Sequence, residues 1–242
     1  MGVKTTADSV FIRADWDTIP EKERPELLLS LTTGTIGRRF KPLECNPQTK
    51  ILYTHTINGE GKRVAVNLKD FPNSRKYLTR HRERLEGRKY VIESGRMWFE
   101  IWVPHNPLDW GKPKLVFRDI VEHPVSWLDF SGTVVNGDCY WYKLNDSSQE
   151  ELLWLALAVM NSKFIEEFYD HRFHNKLYGG RRRFMSQYVE EFPLPNPLNE
   201  ISQTIIKKSK EIYSVIETES TIVQEGELDS LVEEAFGLVK KI

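Results

Sequence analysis

The sequence predicts a mixed α+β fold, in which a twisted sheet, mostly antiparallel or mixed, packs on a long central helix and is followed by a helical C-terminal extension. Aromatic-rich, strand-like segments separated by Pro, Gly and Asn turn signals lie between residues 96 and 144. A long apolar helical pattern follows at 148–171, and two amphipathic patterns lie beyond residue 197. We therefore expect one main domain at 1–196 and a helical extension of the same domain at 197–242.

The N-terminal part of the chain contains two strand-like segments and one short helical segment. "DSVFIR" (8–13) and "TKILYTHTI" (49–57) are rich in β-branched and aromatic residues, which favours strands. "RPELLLSL" (24–31) predicts a helix, because Pro25 suits the first helical turn.

A longer helix is predicted by "FPNSRKYLTRHRERLEGR" (71–88). Asn73 or Ser74 can cap its first turn, and Gly87 can end it. Its outer faces carry several arginines. A solvated helix surface is a simpler interpretation of that charge than a surface that reads DNA.

The central region predicts a series of strands. They lie in "RMWFEIWV" (96–103), "PKLVFRDI" (113–120), "SWLDFSG" (126–132) and "CYWYKL" (139–144). The tryptophans of these strands and of the following helix are better explained as core residues than as base-stacking platforms.

The long helix at 148–171 begins with Ser148 and has Glu151 three residues later, which is the pattern of a capping box. After it, "FMSQYVEEFPLP" (184–195) predicts a strand followed by extended, proline-bound chain. Two amphipathic helices are then predicted in "EISQTIIKKSKEIYSVIE" (200–217) and "ELDSLVEEAFGLVKKI" (227–242).

The composition is typical of a globular protein, with 242 residues, 40% of them hydrophobic and 12% aromatic. The longest apolar run, "LLWLALAVM", is far shorter than the roughly 20 residues of a membrane-spanning helix. The N-terminus has no signal-peptide pattern, so we expect a cytoplasmic protein. Cys45 and Cys139 are far apart, which argues against a thiolate metal site.

The net charge of -1 hides an uneven distribution of charge. Residues 34–118 hold 18 Lys and Arg against 8 Asp and Glu, and residues 171–189 hold 5 against none. The residues between them, 119–170, hold 2 against 10. A fold that joins the two basic stretches would have one positive face. The alternative is that each charge run is a solvated surface.

Recognisable catalytic and cofactor-binding patterns are missing from the sequence. It has no GxGxxG or GxxxxGK[ST] phosphate cradle and no GxSxG or HExxH motif. His171 and His174 are three residues apart, but no matched carboxylate or third histidine accompanies them as metal ligands. We therefore expect no catalytic residue, no metal and no cofactor on this chain.

A succession of short motifs resembles one known family. In order, the motifs are "GVKTTADSVF", "FPNSRKYLTRHRERLEGR", "WFEIWVPHNP", "KPKLVFRDI", "DFSGTVVNGDCYWYKL", "LALAVMNSKFIEEFY", "GGRRRFMSQYVEEFPLP" and "ELDSLVEEAFGLVKK". The succession covers nearly the entire chain and resembles the C-terminal target recognition domain of TaqI-type adenine-specific DNA methyltransferases and of fused restriction–methylation enzymes. It is also similar, more distantly, to the recognition domains of type I restriction specificity subunits.

The resemblance implies a division of labour between two domains. In that family a separate N-terminal domain binds S-adenosylmethionine and carries the Asn-Pro-Pro-aromatic motif that methylates adenine N6. This sequence has no such motif. The resemblance therefore implies that the chain selects the DNA site, and that the target adenine is flipped into the pocket of the other domain. The implied partners are double-stranded DNA and the N-terminal methyltransferase domain, and S-adenosylmethionine is implied only for the parent enzyme.

Two positions depart from the family pattern. His105 stands where members often have an arginine, and the glycine turn carries three consecutive arginines, Arg181 to Arg183, where fewer are expected. Both departures concern residues that could tune specificity, so the recognition sequence does not follow from the resemblance.

Basic residues beside flexible turns are the candidates for contact with DNA, because cations neutralise phosphates and arginine can fork onto guanine. The first candidate element, which we name the glycine–arginine turn (residues 176–183), contains Lys176, Tyr178, Gly179, Gly180, Arg181, Arg182 and Arg183. The second contains Lys112, Lys114 and Arg118. Lesser candidates are Lys4, Thr5, Thr6, Arg38 and Arg39. We expect the two main elements to converge into one groove for a double helix.

Other interpretations remain open at this point. Arg182 or Arg183 can instead pair with acidic residues of the 119–170 stretch. A protein-interaction module, whose acidic helical tail docks onto a partner subunit, is the alternative function. An independent enzyme is the third interpretation, and the missing catalytic motifs argue against it.

Overall fold

The chain alternates between two compact units, each assembled from stretches that are separated in the sequence. The structure is a computed structural model that describes residues 1–238. Unit 1 consists of Met1–Thr33, Glu44–Lys112 and Ser131–Gly137, and unit 2 consists of Gly34–Leu43, Pro113–Phe130 and the residues from Asp138 onward. The predicted boundary at residue 197 lies inside unit 2, and a division there stays a prediction. None of the helices in residues 1–238 has the length and apolar character needed to cross a bilayer.

Both units contain short strands and helices, which confirms the α+β class. The strands are β1 (Ile12–Arg13), β2 (Leu28–Thr32), β3 (Lys50–Leu52), β4 (His55–Ile57), β5 (Arg63–Ala65), β6 (Lys114–Arg118), β7 (Ile120–Val121), β8 (Ser126–Asp129), β9 (Val134–Val135), β10 (Cys139–Lys143) and β11 (Arg182–Arg183). The helices are α1 (Asp8–Phe11), α2 (Pro72–Arg80), α3 (Arg82–Glu86), α4 (Lys89–Glu93), α5 (Glu150–Met160), α6 (Lys163–Phe173), α7 (Ser186–Val189), α8 (Glu200–Val215) and α9 (Ile222–Ala235).

Unit 1 is built on a mixed sheet with the strand order β1-β3-β2-β9. β3 pairs antiparallel with both β1 and β2, and β9 pairs parallel with β2. The segment 24–31, predicted as a helix, therefore contains strand β2. Its run of leucines fits either structure, and the pairing of Leu29 with Ile51 and of Leu31 with Val134 decides in favour of the strand.

Two predicted strands of unit 1 are divided. Residues 8–13 begin as α1 and only then enter β1, and residues 49–57 form β3 and β4, which belong to different sheets. Tyr53 and Thr54 lie between these two strands. The buried Thr54 hydroxyl donates to the Phe99 carbonyl at 3.0 Å, which fixes the residues between the two strands.

The segment 96–103 was predicted as a strand and contains none. Only Val103 pairs with another backbone segment, in an isolated bridge to Lys4, and several other carbonyl groups of the segment accept hydrogen bonds from side chains. Arg88, which is 6% exposed, donates to the carbonyls of Trp98 at 2.6 Å and Glu100 at 3.0 Å. Buried backbone carbonyls need hydrogen-bond donors, and the Arg88 guanidinium supplies them where no neighbouring strand does.

The predicted helix at 71–88 is present as α2 and α3, with a break at His81. Asn73 and Ser74 were predicted to cap its first turn with their side chains. Their backbone N–H groups are instead capped by Glu26, which lies outside the helix. The Glu26 carboxylate accepts hydrogen bonds from the backbone N–H of Asn73 at 2.9 Å and of Ser74 at 2.8 Å. Partial burial raises the pKa of Glu26, but these hydrogen bonds outweigh it and leave the pKa lowered.

Unit 2 is built on an antiparallel sheet with the strand order β10-β6-β8, as the central strand pattern predicted. Trp127 on β8 is fully buried, on the same face of the sheet as the buried Lys114 and Asp129. The 37–41 segment adds to the edge of the sheet, because Phe40 N–H donates to the Ser126 carbonyl at 2.8 Å. A side chain on Gly37 would collide with the Trp127 ring.

The helices of unit 2 depart from the prediction in three places. The single helix predicted at 148–171 is divided into α5 and α6 at Asn161, and its first turn starts at Glu150 without the Ser148–Glu151 capping box. Residues 186–189, predicted as a strand, form α7. α8 and α9 confirm the two predicted helices, but α9 ends at Ala235, so residues 236–238 of the 227–242 prediction are not helical, and residues 239–242 lie outside the described residues.

Candidate functional site

The glycine–arginine turn is a short hairpin that follows α6. His174 ends the helix in the left-handed conformation, with a φ angle of 47°. Leu177 N–H donates to the Arg181 carbonyl at 2.7 Å and closes the hairpin. Gly179 and Gly180 turn the chain at the tip, with φ angles of 74° and 76° that glycine adopts without a steric penalty.

The tip of this hairpin is open to solvent. Tyr178 is 96% exposed, and Arg181 is exposed as well. No atom lies within 4 Å of the position that a Cβ would take on either glycine. Within residues 1–238, the side chains of Tyr178 and Arg181 have no hydrogen-bonded or ion-paired partner. The tip is therefore a surface on which a ligand can approach the backbone closely.

Strand β11 fixes the base of the hairpin. Arg182 and Arg183 pair antiparallel with Val121 and Ile120 of β7, and Phe184 N–H donates to the Asp119 carbonyl at 2.8 Å. Asp119 directly follows β6, which ends at Arg118. The structure thus brings the turn and the C-terminal end of the second candidate element together within unit 2.

Arg182 belongs to the interior of the hairpin base and not to its surface. Its side chain is 4% exposed, and Nη2 lies 2.6 Å from Asp170 and 2.9 Å from Glu166. These hydrogen-bonded ion pairs raise the pKa of Arg182 and lower the pKa of Asp170. The pairing with the acidic stretch, left open by the sequence, is the arrangement found for this arginine. We therefore exclude Arg182 from the candidate DNA contacts.

Arg183 and Lys176 are paired but accessible. Arg183 Nε lies 3.2 Å from Asp119 Oδ1, and its side chain remains 43% exposed. The hydrogen bond from Arg183 to Asp119 raises the pKa of the guanidinium. Lys176 Nζ lies 2.7 Å from Asp170 Oδ2 with a side chain that is 53% exposed. Ion pairs this exposed contribute little stability, so either cation can exchange its carboxylate for another anion at small cost.

The second candidate element does not act as one surface. Lys114 is completely buried, with its ammonium group 2.7 Å from Asp129 on the neighbouring strand. Burial lowers the pKa of Lys114, and Asp129 opposes that effect. Lys114 is inaccessible to DNA, and we exclude it. Lys112 belongs to unit 1 and pairs with Asp109 at 2.9 Å, so only Arg118 accompanies the turn.

Arg38 and Arg39 have different environments in unit 2. Arg39 donates to the Asn161 carbonyl and lies 2.8 Å from Glu225, so it connects the 34–43 segment to α9. Arg38 is exposed, and its side chain has no hydrogen-bonded or ion-paired partner in the part of the chain that the structure describes. Arg38 stays a candidate, whereas Arg39 is held by structural contacts.

The Lys4-Thr5-Thr6 segment is a corner of unit 1. Thr5 is fully buried; its hydroxyl donates to Asp8 and accepts a hydrogen bond from Ala7 N–H at 3.1 Å. Thr6 has a φ angle of 59°, in the left-handed region, and is exposed. Lys4 is exposed and its backbone pairs with Val103. Thr5 is therefore a structural residue, and only Lys4 and Thr6 are accessible.

The accessible cations of unit 2 can bind an anion. Among residues 1–238 there is no group of three or more His, Cys, Asp or Glu side chains that could hold a metal. The sequence did not single out Asp119 and Asp170, which orient Arg183 and Arg182. The acidic excess of the 119–170 stretch was the only signal for them, and it does not say which carboxylates face the turn.

These features describe a binding module of the α+β class that presents a basic hairpin. The family model of the TaqI-like C-terminal specificity domain matches residues 46–194, which is more than half of the chain. The chain belongs to this family, as the succession of motifs predicted.

Particular relatives agree with that assignment. The chain is similar to the type II methyltransferase M.BanIII of Aneurinibacillus aneurinilyticus, with 40% identity over 98% of this chain and 41% of the relative. The type II methyltransferase M.BstVI of Geobacillus stearothermophilus is 26% identical over 99% of this chain and 39% of the relative. The chain thus spans about two-fifths of the length of these curated relatives.

A solved structure shares the fold. The type IIL restriction-modification enzyme MmeI in complex with DNA matches 98% of this chain and 32% of its own chain, with a TM-score of 0.66 and 13% identity. At this level of identity, the match shows a common backbone architecture.

Proposed function

We propose that this chain is the DNA-recognition part of a type II methyltransferase that modifies adenine at N6, and that the exposed tip of the glycine–arginine turn contacts the duplex. The family membership and the names of the methyltransferase relatives support the first half of the proposal. The complex of the structural neighbour with DNA supports the choice of ligand.

One observation carries the assignment of the contact. The tip places unpartnered Arg181 and Tyr178 on a backbone that is open to a ligand, while the base beneath it is fixed by Arg182. Pre-positioned cations lower the entropic cost of binding, because less of the hairpin must be ordered when DNA arrives. Arg181 can contact a phosphate or fork onto guanine O6 and N7, and Tyr178 can stack on a base or contact the backbone.

The methyl donor belongs to another part of the proposed parent enzyme. The chain has no glycine-rich cradle, and its only adjacent glycine pair forms the open tip of the hairpin. These residues do not fit S-adenosylmethionine, so we assign that cofactor to an N-terminal methyltransferase domain, which is also the proposed protein partner. Adenine flipping into that domain would follow recognition of the site by this one.

The first prediction concerns Arg181. We expect Arg181→Ala to weaken binding of a random-sequence duplex, measured by fluorescence anisotropy from low to moderate salt. If Arg181 binds a phosphate, the slope of log K against log salt becomes shallower by about 0.9. If it reads a base, about 1–3 kcal/mol of discrimination is lost at one base pair of the cognate site.

Lys207→Ala is the matched control, because Lys207 is an exposed cation on α8 of the same unit. Arg182 is left intact, since its removal would disturb the base of the turn. Equal affinities and equal salt slopes for Arg181→Ala and the wild type would remove the turn from the proposed interface. A wild-type chain that fails to bind any duplex at low salt would instead favour the protein-docking function.

The docking alternative has one structural observation in its favour. Ile222 and Val223, in the first turn of α9, are 79% and 70% exposed. These two residues form a small exposed apolar patch, and larger patches of this kind mark sites that another protein covers. Both functions are compatible in one protein, because α9 and the glycine–arginine turn are different segments of the chain.

A further inference from the structure

Unit 1 contains a cavity of about 300 Å³ between helix α2 and the end of strand β1. Lys76 and Arg80, four residues apart on α2, line one wall together with His81, which follows the helix. Arg13, the last residue of β1, lines the cavity as well. Side chains at i and i+4 share a helical face, so the cavity receives both helix cations from the same side.

The cations of the cavity exceed its carboxylates. Arg13 Nε and Nη2 donate to Asp15 at 2.7 Å and 2.8 Å, and its guanidinium carbon lies 5.2 Å from the Trp16 ring centroid. This bidentate pair, with a further hydrogen bond between Arg13 and Tyr77, fixes the guanidinium plane beside the cavity. Arg80 is exposed and has no side-chain partner in the described residues.

Glu23 is the remaining carboxylate of the cavity wall. Its Oε2 lies 4.0 Å from Lys76 Nζ, and both side chains are more than half exposed, at 51% and 59%. A pair of this length and exposure contributes little, so Lys76 is free to turn toward another anion. The cavity therefore contains three cationic side chains against one firmly held and one loosely held carboxylate.

The same excess of positive charge affects the pKa of His81. Its ring packs on Tyr77 with centroids 4.8 Å apart. Partial burial lowers the pKa of His81 first, and the charges of Arg13, Arg84 and Arg80 lower it further. Lys76 and Glu23 also line the cavity that this ring faces. A neutral imidazole beside three arginines can donate one hydrogen bond without adding to their mutual repulsion.

We propose that this cavity is a phosphate-binding site, in which Arg13, Lys76 and Arg80 hold the anion and His81 donates a hydrogen bond to it. Arginine matches phosphate oxygens with its planar fork, and lysine adds a mobile charge. The cavity is large enough to admit a phosphate group. A backbone phosphate of DNA and a free phosphate share this chemistry.

The other charges of the helix provide the contrast. Arg82 pairs with Glu86 at 2.7 Å on the far side of the break at His81. Arg75 is exposed on α2 and does not line the cavity. The sequence-based interpretation of a solvated face therefore holds for these residues, while Lys76 and Arg80 form a defined concave site.

Free phosphate is tested first, by NMR titration of the histidine ring protons with sodium phosphate and with sodium chloride at equal ionic strength. The His81 resonance is assigned with a His81→Gln variant. We expect phosphate, but not chloride, to raise the pKa of His81 by half a unit or more, because a dianion offsets the arginines. The response should disappear in Lys76→Ala/Arg80→Ala and persist in the charge-matched Lys69→Ala/Arg75→Ala control.

Duplex DNA is tested with the same two double variants. A backbone phosphate in the cavity predicts that the salt slope of Lys76→Ala/Arg80→Ala becomes shallower by about 0.9 relative to the control variant. A change in the DNA slope identifies a backbone phosphate, and a response to free phosphate alone identifies a small phosphorylated ligand. The proposal is overturned if neither probe responds, or if the control variant loses as much as the cavity variant.

This inference does not depend on the proposed function. A cavity that responds to free phosphate in a chain whose Arg181→Ala variant binds DNA normally would contradict the turn assignment and leave the phosphate site standing. If free phosphate gives no response but Arg181→Ala loses affinity for DNA, the phosphate site is excluded and the assignment of the turn is supported.

Discussion

Three consecutive arginines occupy three different environments. Arg181 is exposed at the hairpin tip, Arg182 is buried against two carboxylates, and Arg183 is half-exposed beside Asp119. The alternation of side chains along a strand turns neighbouring residues to opposite sides. Burial then determines that Arg182 stabilises the hairpin, while its neighbours remain available to a ligand.

The second prediction concerns Arg182. We expect Arg182→Ala to lower the free energy of unfolding at pH 7 by roughly 3 kcal/mol, the lower end for breaking a buried ion pair, because Asp170 and Glu166 are partly exposed. Arg181→Ala, its exposed neighbour, should change it by less than about 0.5 kcal/mol. Denaturant unfolding of both variants measures the difference, and equal effects would contradict the structural role of Arg182.

The third prediction is the pH dependence of that loss. The pKa of Asp170 is lowered below its ordinary value of 3.8 in the folded state, chiefly by the hydrogen bond from Arg182. The stability from this pair is therefore fully present above the unfolded pKa and is lost as the pH falls through the lowered folded pKa. The difference in unfolding free energy between wild type and Arg182→Ala should shrink below about pH 4. A difference that stays constant down to pH 2 would exclude the ionised pair as its source.

At the scale of elements, the division between α5 and α6 fixes the helices to the sheet. Asn161 at the break accepts a hydrogen bond from Ser126 N–H and donates one to the Ser126 carbonyl, both at 2.9 Å. Ser162 then caps α6 by accepting from Ile165 N–H at 3.3 Å. A continuous helix would turn Asn161 away from β8 and leave the Ser126 backbone without these partners.

The fourth prediction tests this junction. Asn161→Ala removes two buried hydrogen bonds, and we expect the free energy of unfolding to fall by about 1–3 kcal/mol, because the Ser126 N–H loses its partner while the Ser126 carbonyl keeps Phe40 N–H. Thermal and denaturant unfolding give the measurement. Asn145→Ala, at an exposed position, is the control and should be nearly neutral. A neutral Asn161→Ala would mean that water replaces the amide without cost.

At the scale of the whole molecule, the chain returns repeatedly to each unit. In the sequence, β9 of the unit 1 sheet follows three strands of unit 2. The 34–43 segment belongs to unit 2, although residues of unit 1 lie on both sides of it in the sequence. Contacts between distant parts of a sequence cost conformational entropy on loop closure, which grows slowly with the length of the loop. Each unit is assembled from three separate stretches of the sequence, so a single cut in the chain does not isolate either unit.

The fifth prediction concerns the C-terminal helices. α8 packs on α5 within unit 2, where Tyr213 meets Trp154 with ring centroids 5.2 Å apart and Ile205 and Ile212 are fully buried. We expect a chain ended at residue 196 to lose its cooperative thermal transition and to bind hydrophobic dyes, because α5 is uncovered. A shortened chain that unfolds cooperatively at the wild-type midpoint would instead favour the predicted division at 197.

The sequence by itself determined the α+β class, the strands at 113–120, 126–132 and 139–144, the two C-terminal helices and the family. These features depend on local periodicity, on turn residues and on the order of motifs, all of which are present in the linear chain. It also located the glycine–arginine turn, because two glycines beside three arginines are a local signal.

Only the tertiary structure decided which cations face solvent. Lys114 and Arg182 are as basic in sequence as Arg181, but long-range strand pairing buries them against Asp129 and Asp170. The same pairing made a strand of 24–31, and side-chain hydrogen bonds left 96–103 without a ladder. The local preference of a segment for helix or strand is weaker than the effects of burial and strand pairing with distant residues. Which distant residues become neighbours is decided by the tertiary structure.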